Sequence, residues 1–198
     1  MADYHLRLAT LEDSAVLAAI YRPYVVNTAI TFEYDPPDEN EFRRRIKNTL
    51  MRYPYVVCVS SCGEIIGYAY GGLLYDRAAY QWDAELSVYL RKDQRGHGIG
   101  SMLYRGLLSL LCAQGYRRAY ACITYPNEES IGFHRSFGFV QCGHFQRSGF
   151  KFGQWHDVIW MDKALDSEDL SSYPLTIRPI KSFDEAMVSA ILSEAARG

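Results

Sequence analysis

The sequence predicts an α/β (α+β) fold, in which helices cover both faces of one mixed central sheet. Segments with the alternating polarity of strands and segments with the four-residue repeat of helices succeed one another along most of the chain. After residue 138 two strand patterns follow each other without a helix between them, so antiparallel as well as parallel pairs are expected. With 198 residues, 48% of them hydrophobic, the chain is long enough to bury a sizeable core in one domain, or in one domain plus an appendage.

The first part of the chain predicts one strand, two helices and a strand hairpin. The alternating stretch "YHLRLA" is typical of a strand. Thr10 and Asp13 have capping-box spacing ahead of an apolar run, and Asp38 and Glu41 have the same spacing ahead of another, so each pair marks the start of a helix. Two β-rich runs, "YVVCVS" and "IIGYAYGG", enclose the turn residues "SCGE" and therefore predict an antiparallel hairpin.

The rest of the core predicts four more strands and two more helices. The strand "AELSVYL" runs directly into a glycine-rich loop. The helix after this loop ends at Gly115, a residue type common at helix C-termini, and its apolar residues share one face: Ile99, Leu103, Leu107, Leu110 and Leu111. The strand "AYACIT" and the helix "NEESIGFHRSF", which Gly138 stops, come next. The stretches "FVQCGHFQRSGF" and "WHDVIWMD" predict the last two strands.

Composition excludes several classes of function. The net charge is −2 at pH 7 and the basic residues are scattered, so nucleic acid is not an expected partner. No apolar run reaches the roughly 20 residues of a membrane span and no signal-peptide pattern is present, so we expect a cytoplasmic protein without membrane contact. The five cysteines lack CxxC spacing and are expected to be mostly buried, reduced thiols. His134, His144 and His156 lack metal-ligand spacing, and no metal is expected.

The string "RGHGIG" opens the helix that ends at Gly115. Three glycines on alternate residues are a costly start for a helix, because glycine loses the most backbone entropy on ordering. A P-loop would need GxxxxGK followed by Ser or Thr, and a dinucleotide-binding loop would need a glycine where Ser101 stands. What remains is R-x-x-G-x-G on Arg95, Gly98 and Gly100, between a strand and a long helix, where main-chain N–H groups can cradle a pyrophosphate. A plain glycine-rich turn is the alternative.

Residues 4–163 resemble the GCN5-related N-acetyltransferase (GNAT) superfamily, in which a Q/R-x-x-G-x-G/A loop holds the pyrophosphate of acetyl-CoA. Five blocks in one order are similar to its phosphinothricin and methionine sulfoximine acetyltransferase branch: "IYRPYVVNTAITFEYDPP", "AELSVYL", "RGHGIGSMLY", "AQGYRRAYACITYPNEESIGFHRSFGF" and "GFKFGQWHDVIWM". The resemblance implies the GNAT fold, whose sheet splays between the fourth and fifth strands. It implies a GNAT domain over residues 1–165, with residues 166–198 as a linker and a C-terminal strand–helix appendage.

The resemblance also implies an acetyl-CoA-dependent N-acetyltransferase, which acts on the α-amino group of a small amino-acid-like substrate through a tetrahedral intermediate. The expected acceptors are of the phosphinothricin, methionine sulfoximine or methionine sulfone type. By position, the splayed strand and the helix after "AYACIT" would hold the pantetheine arm, the glycine loop would hold the pyrophosphate, and the Val88 N–H would polarise the thioester carbonyl. The implied cofactor-binding residues are Val88, Tyr89, Leu90, Gln94, Arg95, Gly96, His97, Gly98, Ile99, Gly100, Ser101, Asn127 and Ser130.

Glu85 and His134 are the catalytic residues that the resemblance implies. Glu85 would be the general base for the amine, if partial burial raises its pKa toward the working pH, and Asp83 is a weaker candidate. A strand glutamate neutralised by Arg77 is the alternative. His134 stands where many members of the superfamily have a tyrosine acid, and it shares one helix face with Asn127. A structural histidine, and an Asn127 that only caps the helix, are the alternatives there.

The implied substrate-binding residues are Phe32, Tyr34, Tyr75, Arg77 and Ser87. Arg77 would grip an α-carboxylate in a bidentate fork, while ordinary loop and core roles are the alternative for these residues. Because relatives are dimers, we expect a homodimer in which Lys151, Trp155 and His156 complete the neighbour's site.

Two other functions remain open at this point, because a fold does not determine the acceptor. On the same fold, a protein N-terminus or a polyamine is the alternative acceptor, which an open groove without a carboxylate-binding arginine would favour. A non-catalytic acetyl-CoA-binding sensor is the alternative from another class. Loss of both Glu85 and His134 would favour the sensor, and both residues are present.

The last 24 residues, "LTIRPIKSFDEAMVSAILSEAARG", predict a strand, a turn and a helix. Aligning Leu6 with Ile177 pairs four identical residues in fifteen, which indicates either chance or a vestigial second copy of the chain's start. The predicted amphipathic face consists of Phe183, Met187, Ala190, Ile191 and Glu194. So short a segment cannot bury this face alone, so we expect it to pack on the main domain or on a dimer partner, without supplying a catalytic group.

Overall fold

The structure is a computed structural model of the chain, and it describes residues 4–165 and 174–197. The strands are β1 (Tyr4–Leu8), β2 (Tyr55–Ser60), β3 (Ile65–Leu73), β4 (Asp83–Leu90), β5 (Arg118–Tyr125), β6 (Val140–Lys151) and β7 (Gln154–Ala164). The helices are α1 (Ser14–Asn27), α2 (Glu39–Leu50), α3 (Ile99–Gln114), α4 (Glu128–Ser136) and α5 (Glu185–Arg197). The predicted α/β class is confirmed. None of the helices in the described ranges has the length and apolar character that crossing a membrane would require.

Within the described residues, seven strands form one sheet in the order β1-β2-β3-β4-β5-β7-β6. β4 and β5 run parallel, and the other neighbouring strands in this order run antiparallel. The β4–β5 register covers only Asp83–Glu85 against Arg118–Tyr120, although β4 continues to Leu90. The sheet therefore splays between its fourth and fifth strands, as predicted.

Helices cover both faces of this sheet and produce two cores. α1 and α2 pack on one face over an aromatic cluster that includes Tyr21, Phe42 and Tyr68. α3 and α5 pack on the other face, where all five apolar residues predicted for the α3 face are buried. α3 thereby forms the crossover between the parallel strands β4 and β5, and its N-terminus lies just after the splayed end of β4.

These helices begin and end at the capping residues that the sequence predicts. The Asp38 carboxylate accepts the Glu41 N–H at 2.8 Å and caps α2, while the Thr10 N–H donates to Asp13 at 2.7 Å just before α1. Gly115 ends α3 with φ of 94°, a left-handed conformation that favours glycine.

The cysteines are less buried than expected. The five cysteines all fall in the described ranges and form no disulfide there, but only Cys58 is buried. The expectation of buried thiols is wrong for Cys62, Cys112, Cys122 and Cys142, which are exposed. Cys62 lies in the β2–β3 turn, and the other three occupy exposed positions on α3, β5 and β6.

The segment at residues 174–179 forms no strand, so that part of the predicted appendage is wrong. Its main chain instead bonds to the end of α3: the Arg178 N–H donates to the Gln114 carbonyl at 2.9 Å, and the Gln114 side chain donates to the Arg178 carbonyl at 2.7 Å. These bonds occupy groups that a sheet partner would need. Residues 166–173, at the start of the predicted linker and appendage, lie outside the described residues, and the domain division stays a prediction.

α5 packs against α3 and β1 within the larger core. Its buried residues are Val188, Leu192 and Ala195, whereas Ala190 and Glu194 of the predicted face are exposed. Leu192 fits because Gly106 of α3 carries no side chain there. A Cβ at residue 106 would lie 2.9 Å from side-chain atoms of both Leu192 and Leu6. The large residues at positions 188 and 192 thus decide which face of α5 is buried.

Replacing Leu192 by alanine is expected to lower the free energy of unfolding by about 2–5 kcal/mol, because it leaves a cavity in a packed core. Leu192 is 1% exposed. Urea denaturation measures the change, and Leu175→Ala is the matched control because Leu175 is 74% exposed. Equal stabilities of the two variants would contradict the packing role of α5.

Candidate active site

A cavity of about 320 Å³ lies between the end of β4, the glycine loop and α4. Ten of the residues predicted to bind the cofactor line it: Val88, Leu90, Arg95, Gly96, Gly98, Ile99, Gly100, Ser101, Asn127 and Ser130. Four lining residues were not predicted: Tyr24, Ile30, Glu129 and Phe133. Phe133 follows Ser130 by three residues on α4, so helical spacing was a signal for it. Nothing in the spacing of the glycine loop points to the distant Tyr24 and Ile30.

The glycine loop has the backbone that an anion cradle needs. Gly96 and Gly98 have φ of 80° and 77°, in the left-handed region that favours glycine. The Met102 N–H makes the first helical bond of α3, to the Gly98 carbonyl at 3.0 Å. Residues 99–101 therefore have N–H groups without a partner inside the helix, and all three line the cavity. Together with the helix dipole, these groups suit a pyrophosphate.

The end of β4 presents an edge without a partner strand. The Arg91 N–H donates to the Ile66 carbonyl at 2.9 Å, so Arg91 faces β3. Because main-chain groups alternate along a strand, Leu90 and Val88 direct their N–H and C=O toward the opposite edge, from which β5 has parted. Val88 also lines the cavity, so this open edge adjoins it.

Glu85 forms the last β4–β5 pair, opposite Tyr120, before the strands part. Burial raises the pKa of its carboxyl, with no charged neighbour contributing to the shift. Arg77 is exposed and makes no ion pair with any described residue, so the alternative of a neutralised Glu85 finds no support. Burial also raises the pKa of Asp83, but Arg118 opposes that shift.

α4 begins at the cavity. The Asn127 side chain accepts the Ser130 N–H at 3.2 Å and caps the helix, and both residues line the cavity, so the capping and binding interpretations of Asn127 are compatible. His134 is 5% exposed and does not line the cavity. Its Nδ1 lies 2.7 Å from the Ser130 carbonyl. Since a carbonyl only accepts, Nδ1 carries the proton and the neutral ring has its lone pair on Nε2. Burial lowers the pKa of His134, although the bond to Ser130 opposes this shift.

Glu85 and His134 lie on opposite faces of the sheet. The Leu86 side chain packs in the α3 core, and alternation along β4 directs Glu85 to the other face. His134 packs beside Tyr104 of α3, with 5.3 Å between ring centroids. The structure therefore does not bring these two predicted catalytic residues together on one face.

The predicted substrate-binding residues lie in three places. Phe32 and Tyr34 contact the β6–β7 hairpin: the Phe32 ring lies 6.2 Å from that of His156, and the Tyr34 hydroxyl donates to the Phe150 carbonyl. Tyr75 and Arg77 are exposed in the loop between β3 and β4, where the Tyr75 ring lies 4.9 Å from that of Tyr80. Ser87 lies on β4, two residues beyond Glu85 and thus on the same face as that carboxylate.

Three predicted cofactor-binding residues do not line the cavity. The Tyr89 ring packs 4.9 Å from Tyr21 and 5.1 Å from Tyr24 in the aromatic core, while its main chain pairs with β3. Gln94 donates to Asp93, and His97 is exposed in the glycine loop. Alternation along β4 explains Tyr89, because successive side chains point to opposite faces.

Lys151 is buried and hydrogen-bonded within its own chain, although it was expected to complete a neighbour's site. It is 2% exposed, and its Nζ donates to the carbonyls of Val25 at 2.8 Å and Thr31 at 2.7 Å. These bonds tie the loop after α1 to the β6–β7 hairpin. Burial lowers the pKa of Lys151, and Glu33 opposes that shift. Phe32 and Tyr34 are thus carried by a loop that a buried cation holds.

No group of three or more His, Cys, Asp or Glu side chains in the described ranges is arranged to hold a metal ion.

The comparisons with known proteins point to one family. A family model described as an acetyltransferase (GNAT) domain matches residues 6–160. A phosphinothricin N-acetyltransferase of Streptomyces viridochromogenes is 31% identical over 88% of this chain and 93% of its own. An L-methionine sulfoximine/L-methionine sulfone acetyltransferase of Pseudomonas aeruginosa is 36% identical over 81% of this chain and 94% of its own.

A solved structure has the same fold. The crystal structure of a GNAT superfamily phosphinothricin acetyltransferase from Sinorhizobium meliloti, in complex with AcCoA, matches with a TM-score of 0.83 and 36% identity. The match covers 90% of this chain and 96% of that one. The predicted resemblance is confirmed, and the chain belongs to the GNAT family of acetyl-CoA-dependent acetyltransferases.

Proposed function

We propose that this chain transfers the acetyl group of acetyl-CoA to the α-amino group of a small amino-acid-like substrate, of the phosphinothricin, methionine sulfoximine or methionine sulfone type. The observation that carries the proposal is the position of Glu85. This carboxylate, with a pKa raised by burial, ends the β4–β5 pairing, and the open edge beside the glycine-loop cavity begins directly after it. The names of the similar enzymes support the acceptor class.

The cavity fits the co-substrate by its chemistry. The unpaired N–H groups of residues 99–101 and the Arg95 guanidinium are donors and positive charge suited to a pyrophosphate. Val88 offers a strand edge to an amide-bearing pantetheine arm, and Asn127 and Ser130 line the same cavity. Acetyl-CoA supplies the activated acetyl group.

In the proposed reaction Glu85 takes the proton of the ammonium group, directly or through water, so that the free amine can attack. The Val88 N–H donates to the oxyanion of the tetrahedral intermediate. When the intermediate collapses, its C–S bond breaks and CoA leaves as a thiolate, which takes up the second proton that the attacking nitrogen loses, while Glu85 returns the first proton to solvent. His134 can accept a proton at Nε2, but in its neutral tautomer it has none to donate there. We therefore assign proton removal to Glu85 and keep His134 as the second candidate acceptor.

Arg77 is the proposed ligand of the substrate carboxylate, with Phe32, Tyr34 and Tyr75 around the substrate side chain and Ser87 beside Glu85. The Arg77 guanidinium is exposed and makes no ion pair with any described residue, so it is available to an acidic ligand. A protein N-terminus or a polyamine gives Arg77 no free α-carboxylate to bind. A non-catalytic sensor has no use for a carboxylate with a raised pKa at the splay.

A substrate screen tests this proposal. Purified protein with acetyl-CoA is assayed against phosphinothricin, methionine sulfoximine, methionine sulfone, plain amino acids and a polyamine. We expect acetylation of one of the first three, and we expect Arg77→Gln to raise KM for that acceptor at least about tenfold, because a bidentate charged contact is lost. Lys47→Gln, at an exposed residue of α2 that does not line the cavity, is the control. Turnover of the polyamine alone, or of nothing, would refute the proposal.

We further propose that the chain forms a homodimer. The β6–β7 hairpin exposes aromatic side chains that water does not favour: Phe150 is 44%, Phe152 58% and Trp155 60% exposed. Sedimentation analysis of the protein and of Trp155→Ser tests the proposal. A monomer at all concentrations would refute it.

A further inference from the structure

Tyr24 connects three elements around the cavity through a single hydroxyl. The hydroxyl donates to the Leu90 carbonyl at 2.6 Å, and accepts the Leu90 N–H and the Arg95 Nη2, each at 3.2 Å. A phenol offers one donor and two acceptor positions, so all three are used. The residue is 4% exposed, comes from α1 and lines the cavity.

At Leu90 this hydroxyl takes the place of the missing strand. Leu90 ends β4, and its main-chain groups point to the edge from which β5 has parted. Without Tyr24 both groups would lack a partner in a half-buried position. Because Tyr24 satisfies Leu90, Val88 becomes the residue whose N–H and C=O remain open on this edge beside the cavity. The hydroxyl thereby sets where the open edge ends.

Tyr24 also positions the arginine of the glycine loop. The Arg95 guanidinium lies over the Tyr24 ring, 5.6 Å from its centroid, in addition to the bond from Nη2. Its other contact, Nη1 to Glu129 at 3.3 Å, is to an exposed carboxylate and contributes little. The ring and the hydroxyl therefore hold Arg95 against the cavity wall.

We infer that Tyr24 is a positioning residue for acetyl-CoA, which ends the open edge of β4 and aligns Arg95 with the pyrophosphate cradle. This inference rests on the proposed function. Tyr24 lies 71 residues before Arg95 and outside the R-x-x-G-x-G pattern, so the glycine loop alone is an incomplete description of this site.

Tyr24→Phe tests the inference, because it removes the hydroxyl and keeps the ring that packs against Tyr89. We expect the Kd for CoA, measured by calorimetry, to rise about tenfold, since a charge-assisted bond and two main-chain bonds are lost. Tyr104→Phe is the matched control: Tyr104 is fully buried, and its hydroxyl has no partner among the described residues. It should bind CoA within about twofold of the wild type, as the loss of an unpaired hydroxyl predicts.

Two further measurements separate positioning from general stability. In the free protein, hydrogen exchange of the Leu90 amide should accelerate in Tyr24→Phe while amides of β2 keep their protection. Tyr24→Phe and Arg95→Gln should weaken CoA binding less together than the product of their separate effects, because the hydroxyl acts partly through Arg95.

The outcomes are distinguishable. A Kd for CoA in Tyr24→Phe within twofold of the wild type would overturn the inference and leave the proposed function intact. A multiplicative effect of the two substitutions would overturn the role of Arg95. A wild-type protein that binds no CoA would instead refute the proposed function, and the inference with it.

Discussion

Replacing Glu85 by glutamine is expected to lower kcat about a hundredfold or more at pH 7, with little change in KM for the acceptor. Glutamine keeps the size of the side chain but cannot take the proton of the amine, and loss of a general base typically has an effect of this order. Because the base acts in the transition state, kcat and kcat/KM should fall together. Steady-state kinetics with acetyl-CoA and the acceptor found in the screen measure both.

Asp83→Asn is the matched control, because Asp83 lies on the same strand and face, two residues before Glu85, and also has a pKa raised by burial. We expect it to retain turnover within about threefold of the wild type. A Glu85→Gln rate that is itself within about threefold of the wild type would reduce Glu85 to a structural residue.

The burial of Glu85 also predicts how the activity depends on pH. A carboxylate acts as a base only when ionised, so kcat/KM of the wild type should fall as the pH drops through the raised pKa of Glu85, above the ordinary range for glutamate. The change of folding stability with pH has the opposite sign from that of an acid held in a salt bridge. A pKa raised on folding means that ionisation of Glu85 costs stability as the pH rises through the interval between the unfolded and the folded pKa. Glu85→Gln should therefore melt no lower than the wild type at pH 7, which separates lost activity from lost structure.

Replacing Gly98 by valine is expected to weaken CoA binding at least about a hundredfold. Its φ of 77° is unfavourable for a β-branched residue, so the loop must either distort or hold a side chain in the space that a pyrophosphate needs. A Cβ at this position meets nothing within 4 Å, so the free protein has room for it and should still fold. Calorimetry with CoA measures the loss.

Gly63→Val is the matched control for Gly98→Val. Gly63 has φ of 85°, and a Cβ there also meets nothing within 4 Å, but it lies in the β2–β3 turn. Both variants should lose a similar amount of stability, whereas only Gly98→Val should lose CoA. If the two variants bound CoA equally well, the glycine loop would not be the pyrophosphate site.

Sequence reasoning succeeded where neighbouring residues decide the structure. The Asp38 cap, the Gly115 terminus and the apolar face of α3 are local features, and each recurs in the structure as predicted. It was right in part for α5, which packs on the main domain with Phe183 and Ile191 against the core, but it missed Leu192, whose place opposite Gly106 depends on a distant helix.

In the candidate site, too, local features could be predicted and contacts between distant residues could not. Gly98 and Gly100 are visible as a motif because their spacing is short and their backbone requirement is specific. Tyr24 is invisible for the opposite reason, since its hydroxyl meets Leu90 only because β5 diverges from β4. Lys151 was expected to act on a partner because relatives are dimers. No pattern reveals that its ammonium group will meet two carbonyls 120 and 126 residues away in its own chain.

The packing of α5 on β1 has a consequence for biosynthesis. The first strand of the chain and its last helix cover the same core, with Leu192 lying close to Leu6 beside Gly106. β1 is synthesised well before α5, so the apolar surface that α5 covers stays open until α5 itself has been made. Contacts between such distant parts of a chain are also slow to form. In the nascent protein, the core around Leu6 therefore keeps apolar surface exposed to solvent until α5 has emerged and packed against it.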